Sequence, residues 1–411
     1  MADIREARGK AIADQGNQIK KVSDYSFRVK SQSGKGFYEV KETKDGLTCN
    51  CPDFVYRGGR CKHIMATRYY LQVEKDTPEG IVTEKVHLTY AQAWDAYTEA
   101  QKVEVKLFDE LLKDLVKAIP EPEDQTMGRP RLSIQETLFC AIQKVYSQLS
   151  SRRAFSLFQN ATDRGQISHA PNFNQPSIIF RNPEMTPILH ELVTLSALPV
   201  AGIENDFSVD STGFRTTTFN AYHGTKYGQT KKHQWLKAHL CTGAKTNIVA
   251  AVAITDENGA DSPQFGPLIK KTATGFIINE VTADMAYSSR NNLDQVKAIG
   301  GTAYIPYRKN ATGKSKGSSL WSKMFHYFQL NRDDFMEHYH KRSNIEATNA
   351  AIKRKFGETL KSKNPTAQVN ELLAKIIAYN LTVVIHEMYE NGIQPEFLQI
   401  KSDGCKESPS F

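Results

Sequence analysis

The chain has 411 residues, with 53 Lys and Arg against 45 Asp and Glu, a formal charge of +8. At roughly 100–200 residues per domain that length calls for two or three domains, and 40% hydrophobic with 24% charged residues excludes wholesale disorder. No run approaches the ~20 apolar residues of a membrane span, and the opening Met1-Ala2-Asp3-Ile4-Arg5-Glu6 has no apolar signal core.

In chain order, Tyr25, Phe27 and Val29 alternate with polar neighbours, and Phe37-Tyr38-Glu39-Val40 and Leu47-Thr48-Cys49 follow glycine turns. Period-two alternation of this kind predicts a small antiparallel meander. Lys62 to Val73 reads as helix, closing a first module over 1–75, and the polar stretch 76–106 reads as a linker with some helix. Leu107, Leu111, Leu112, Leu115, Val116 and Ile119 mark an amphipathic helix ended by Pro120. After the break from Glu121 to Arg131, a second helix carries Ile134, Leu138, Ile142, Val145 and Leu149 on one face. Turns are expected from Asn172 to Asn182 and helix from Pro187 to Leu198. Residues 107–200 thus form a helical segment, a candidate DNA-binding domain.

From Ile203 the texture changes. Ile203, Asn205, Phe207 and Val209 face one way, and Asp206, Ser208 and Asp210 the other. Trp235–Cys241 and Ile248–Ile254 flank a turn-rich segment as a hairpin does, and Phe276–Val281 and Thr302–Ile305 supply further strands. Helices are expected around Leu293–Ile299, Leu320–Leu330, Asp334–Phe356 and Val369–Met388. The fold class is α/β, a mixed sheet over 201–392, preceded by the helical segment and the small first module, with a tail over 393–411.

Cys49-x-Cys51, nine residues, then Cys61-x-His63 gives four soft ligands in two close pairs. Tetrahedral Zn²⁺ takes that donor set, and four protein ligands make the site structural rather than hydrolytic. Metal binding then adds folding energy to a meander too small to stand alone. The spacing resembles the SWIM zinc finger, a module associated with DNA or protein binding. Cys140, Cys241 and Cys405 read as buried or incidental thiols.

Asp210 ends the first expected strand of the sheet and Asp284 follows another, while Glu346 falls within a late helix. Strand-end carboxylates converge at a sheet edge, and hard oxygen ligands there suit Mg²⁺ or Mn²⁺. Isolated aspartates such as Asp206, Asp256 and Asp261 are common in the chain. At about 100° per residue, Arg342, Glu346 and Lys353 lie within roughly 60° of Tyr339 on one continuous helix. Such a stripe offers a metal-binding carboxylate, cations for phosphate oxygens, and a tyrosine to stack or donate.

Two stretches carry cations without acids. Tyr222 to His239 holds Lys226, Lys231, Lys232 and Lys237, and Gly301 to Arg332 holds six Lys or Arg, Arg308 and Lys309 among them. Both suit a nucleic-acid backbone; Trp235 and Trp321 within them read as core. Gly128-Arg129-Pro130-Arg131 resembles an AT-hook core, against the plainer reading of an interdomain turn. His338, His340 and His386 read as structural or phosphate-facing.

Tyr339-x2-Arg342-x3-Glu346-x6-Lys353 matches the YREK signature of DDE-type insertion-sequence transposases. Val209-Asp210-Ser211-Thr212 and Ala283-Asp284-Met285-Ala286-Tyr287 resemble that family's first two acidic blocks. The resemblance spans about 130–390. It implies a ribonuclease H-like core and cut-and-paste chemistry on transposon ends. Asp210 would bridge two Mg²⁺ ions, with Asp284 and Glu346 each completing one. Partners implied are double-stranded DNA, as terminal inverted repeats and target, and a second copy in a synaptic homodimer, in a prokaryotic cytoplasm at the nucleoid. A nuclease of the same fold without strand transfer, or a non-catalytic DNA-binding derivative, shares these motifs. Only 61 residues (285–345) separate Asp284 from Glu346, so the large β-rich insertion of some relatives cannot fit, and their hairpin intermediates are not implied.

Overall fold

The computed structural model describes residues 8–9, 11–13, 18–23, 26–31, 36–43, 46–57, 61–71, 93–121, 132–216 and 235–397. They belong to two compact units, Met1–Ala93 and Trp94–Phe411.

In the first unit β1 (Ile19–Ser23), β2 (Ser26–Lys30), β3 (Phe37–Thr43) and β4 (Gly46–Cys49) form an antiparallel meander in chain order. Phe27, Val29 and Val40 turn inward, as the alternation predicts. A short helix α1 (Pro52–Arg57) precedes α2 (Lys62–Leu71), which packs across the strands. The core includes Ile12, Ile19, Phe27, Val29, Val40, Ile64 and Ala66, and the remaining buried apolar members are Cys49, Cys51 and Cys61.

The second unit begins with α3 (Trp94–Val116), α4 (Ile134–Ser147), α5 (Ser151–Asp163), α6 (Gln175–Arg181) and α7 (Met185–Ala197). Helix α3 starts at Trp94, ahead of the expected Leu107, because its inward stripe continues through Ala100 and Glu104. Glu104 is buried by accepting from Tyr146 Oη and Lys355 Nζ, both at 2.9 Å, so its polarity hid the stripe. Where turns were expected before Asn182, Gln175–Arg181 is helical with Pro176 in its first turn.

The sheet follows: β5 (Asp206–Arg215), β6 (Trp235–Gly243), β7 (Val249–Asp256), α8 (Ser262–Thr272), β8 (Glu280–Ala283), α9 (Arg290–Ala298) and β9 (Thr302–Tyr304). Its order is β7-β6-β5-β8-β9. β5, β8 and β9 run parallel, and β6 is antiparallel to both its neighbours. Then come α10 (Ser319–Leu330), α11 (Arg332–Tyr339), a 3₁₀ turn (His340–Arg342), α12 (Ser343–Phe356) and α13 (Pro365–Glu390). Helix α13 is buried almost throughout Leu372–Ile385 and shares one core with the sheet and with α3, α4 and α7. Its Asn380 side chain accepts from Val249 N–H at 3.0 Å and donates to Val249 O at 2.8 Å, satisfying the outer backbone of edge strand β7. Among the described residues no helix is long and apolar enough to cross a membrane.

Two boundaries depart from expectation. β8 is Glu280–Ala283, with Phe276 and Ile278 buried in the loop before it. β5 runs on to Arg215, so Asp210 lies within the strand rather than at its end. The tail beyond 397, Cys405, the AT-hook-like Gly128-Arg129-Pro130-Arg131, and Tyr25 lie outside the described residues.

Candidate active site and metal centre

β8 pairs with β5 only from Asp206↔Glu280 to Val209↔Ala283. Asp210 and Asp284 are the next residues on each strand, so they leave adjacent parallel strands at one level, where backbones lie ~5 Å apart. Beyond that level β5 has no parallel neighbour among the described residues until Arg215 bridges Thr359, and the sheet opens between. Asp284 Oδ1 accepts from Ala286 N–H at 2.7 Å, capping a 3₁₀ turn, Met285–Tyr287. Alternation puts Asp206, Ser208 and Asp210 on one face of β5, and the His340–Arg342 turn lies against it.

That turn brings in the third acid. Arg342 places Nη2 3.5 Å from Asp210 Oδ2, while its Nη1 donates to Glu346 Oε1 at 2.9 Å. Glu346 stands in the first turn of α12 with its side chain 65% exposed, whereas those of Asp210 and Arg342 are 18% exposed. Burial pushes the Asp210 carboxyl up; the Ser211 N–H and Arg342 oppose this, and the negative charges of Asp284 and Glu346 add to it. Burial also raises the Tyr339 hydroxyl, against Arg342 and with the same three acids. The three acids, Arg342 and Tyr339 therefore share one electrostatic neighbourhood.

The continuous stripe does not survive. A helix over 334–356 would carry Tyr339 and Lys353 on one face, but the 3₁₀ turn at His340–Arg342 resets the phase between α11 and α12. Lys353 sits ~10 Å along α12 from Glu346 at 1.5 Å per residue. Its ammonium lies 5.5 Å from the Phe214 ring and is pushed down chiefly by burial. It belongs to the far end of β5, where Arg215 N–H donates to Glu358 O and Leu360 N–H to Arg215 O. Gly357, at φ 76°, makes the return that this pairing needs.

Of the other expected phosphate ligands, Lys231 and Lys232 lie outside the described residues. Lys237 is held by Asp261 at 2.6 Å and is no free cation. Arg308 and Lys309 are exposed, and Arg308 donates to the Met285 and Ala286 carbonyls, both at 3.3 Å, on the turn that Asp284 caps. Trp321 is core, 6% exposed. His338 is structural: it stacks on Tyr304 at 4.3 Å and pairs with Glu280 at 2.8 Å.

The sequence reading missed Lys341. Its ammonium donates to Asp206 Oδ2 at 2.7 Å and Glu280 Oε2 at 2.8 Å. These acids are paired neighbours on β5 and β8, so one cation fastens the turn to both strands, one residue before Arg342. Asp206 is therefore not an isolated aspartate. The available signal was its position four residues before Asp210 on the same strand face.

In the first unit, ligand atoms of Cys49, Cys51, Cys61 and His63 all lie within 4.8 Å of one another. No other group of three or more His, Cys, Asp or Glu among the described residues closes so tightly, the three acids included. His63 is buried, and among the described residues neither of its ring nitrogens has a hydrogen-bond partner. A buried imidazole without partners is costly unless something else takes its lone pair. The Cys49 thiol, with His63 and the Ile64 N–H, brings the Cys61 thiol down to about 4 against its burial. Three sulfurs and one imidazole in this arrangement could hold a tetrahedral Zn²⁺.

A sheet ordered 3-2-1-4-5, its second strand antiparallel and an acid just past the paired span of each of two central strands, is the ribonuclease H-like α/β class. Residues 202–381 match the model of the transposase DDE domain family, and residues 43–71 match that of the SWIM zinc finger. A relative from Archaeoglobus fulgidus, a probable transposase for insertion sequence element ISA1214, is 24% identical over 206 residues, 50% of this chain. The match spans 62% of that relative's own length. The cryo-EM structure of a piggyBac transposase synaptic complex with hairpin DNA superposes at a TM-score of 0.34 and 11% identity, over 73% of this chain and 78% of that one. That likeness is too slight to inform the fold.

Proposed function

We propose that the chain is a DNA transposase whose catalytic residues are Asp210, Asp284 and Glu346. The observation that carries this reading is that Asp210 and Asp284 each come directly after the last β5–β8 pair, Val209↔Ala283, with Glu346 tied to Asp210 through Arg342. Hard carboxylate oxygens fit Mg²⁺ or Mn²⁺, and Asp210, Asp284 and Glu346 are the residues that would hold such ions. Bound there, the ions would activate water or a DNA 3′-hydroxyl and stabilise the leaving oxygen of an in-line displacement. Asp284 is held for this by its cap on Ala286, and Asp210 by the strand. Arg342, whose charge balances two of the acids, is placed to take a phosphate oxygen of the substrate. Tyr339 supports the same end, and Lys309 offers a backbone-phosphate contact. Zn²⁺ on Cys49, Cys51, Cys61 and His63 holds the finger together.

The partners proposed are the DNA ends of a mobile element and a target duplex, joined by two copies of the chain, inside a prokaryotic cell. Joining separates this reading from a nuclease of the same fold. With pre-cut ends bearing a free 3′-hydroxyl and a supercoiled plasmid, Mg²⁺ yields plasmid covalently linked to the ends; cleavage without linked product favours the nuclease.

A further inference from the structure

Beside the Asp284 turn lies a cavity of about 260 Å³, lined by Ser288, Arg290, Arg308, Asn310, Lys316 and Trp321, with Ala311 and Thr312. No carboxylate lines it, and among the described residues none of its three cations forms an ion pair. Both guanidinium groups are nonetheless fixed. Arg290 donates to Ser315 O at 3.0 Å and Lys314 O at 2.9 Å and lies 4.5 Å over the Trp321 ring. Arg308 donates to Met285 O and Ala286 O. Carbonyls orient a guanidinium without cancelling its charge, so three positive charges surround one polar hollow. Ser288 lines the hollow, and its hydroxyl oxygen is buried beside it with no hydrogen-bond partner among the described residues, so it has a donor to offer once the side chain turns. The aromatic face is not available to a base, since Arg290 covers Trp321 and its Nε1 is committed to Thr312 O at 2.8 Å.

We propose that this cavity is a subsite for one backbone phosphate of the DNA strand, held by Arg308, Lys316, Arg290 and the Ser288 hydroxyl. The proposal rests on the reading of the chain as a DNA transposase and adds a named phosphate site beyond the acids and Arg342. It also links substrate to chemistry: Arg308 grips both carbonyls of the turn that Asp284 caps, so seating a phosphate on Arg308 steadies that acid. Arg308 is then a positioning residue as well as a ligand.

The test uses the full-length protein with zinc, Ca²⁺ in place of Mg²⁺, and a generic duplex, following affinity against salt. Lys316 has φ 43°, a conformation that asparagine tolerates, so Lys316→Asn removes the charge without strain. One lost phosphate contact lowers the slope of log affinity against log salt by about 0.9, roughly eightfold in affinity at 0.1 M. Arg308→Gln and Lys316→Asn together are expected to lower it by that amount, and neither single variant by more, because both hold one phosphate. An unchanged slope, or a fall of about twice that size, overturns the site. Glu346→Gln in the same preparation reads the other question. If it still cleaves with Mg²⁺, the transposase reading fails while the slope stands on its own; if only the slope fails to move, the cavity fails alone.

Discussion

Replacing Lys341 by Met tests how the active-site turn is held. The ammonium lies 2.7 Å from Asp206 and 2.8 Å from Glu280, with side chains 27%, 29% and 18% exposed. Each contact is a Coulomb attraction of about 6 kcal/mol at an effective dielectric of about 20. Desolvation and partial screening offset most of it, but removing the cation leaves two carboxylates opposed across adjacent strands. A net loss of about 2 kcal/mol follows, between the values for exposed and fully buried pairs. For a unit of this size that lowers the melting temperature by roughly 4 °C. Adding Glu280→Gln removes one of the opposed charges and recovers about half of the loss, a coupling that scanning calorimetry of the four proteins of the cycle measures directly. If Lys341→Met melts within about 1 °C of the parent, or Glu280→Gln adds its cost in full, the clamp does not exist as described.

Other outcomes follow from single features. Arg342→Lys keeps the charge but loses the fork that spans Asp210 and Glu346, and single-turnover cleavage should slow by about tenfold, or 1.4 kcal/mol; an unchanged rate removes Arg342 from the site. Cys61→Ser should leave the purified protein without its one Zn²⁺ per chain by atomic absorption and abolish protection of the Phe27 and Val29 amides in hydrogen exchange; retained zinc at full stoichiometry argues against the four-ligand site. Lys375 is 3% exposed beneath the Gly357 and Thr359 carbonyls, and burial pushes it from 10.5 to about 8. The unfolded chain keeps a proton that the folded protein has released between those values. Stability therefore rises with pH across that window, by up to about 3 kcal/mol at 1.36 kcal/mol per pH unit. Relative to Lys375→Met the parent should gain by that amount from pH 7.5 to 10.5, and a flat difference in urea midpoints would show that Lys375 is charged throughout.

The cluster of three cysteines and a histidine was legible in the sequence because its members are local, all within Cys49–His63, and soft donors in close pairs have few other uses. The order of the sheet was legible where apolar runs and glycine turns agree, as in the β6–β7 hairpin. Helix α5 was not, since its buried positions Ala154, Phe158 and Ala161 are few and two of them small. Helix α8 was hidden by Pro263 and Pro267. At the site, the acids and their order could be read, but the phase break at His340–Arg342 could not. A tighter turn changes no residue's polarity, and a periodicity argument carried across it put Tyr339 on the stripe of Glu346 and Lys353. Lys341 was invisible for a different reason. Its partners lie 135 and 61 positions away, and only the pairing of Asp206 with Glu280 makes them one binding place.

Joint action of Asp210, Asp284 and Glu346 on a phosphodiester with divalent metal is read by single-turnover cleavage of DNA carrying the sequences that flank this coding region, with Mg²⁺, by the parent protein and by Asp210→Asn, Asp284→Asn and Glu346→Gln. Metal-dependent cleavage by the parent is expected, with a loss of at least a thousandfold, about 4 kcal/mol, in each variant, and all three still folded by circular dichroism. A folded variant of any of the three acids that cleaves at the parent's rate contradicts it.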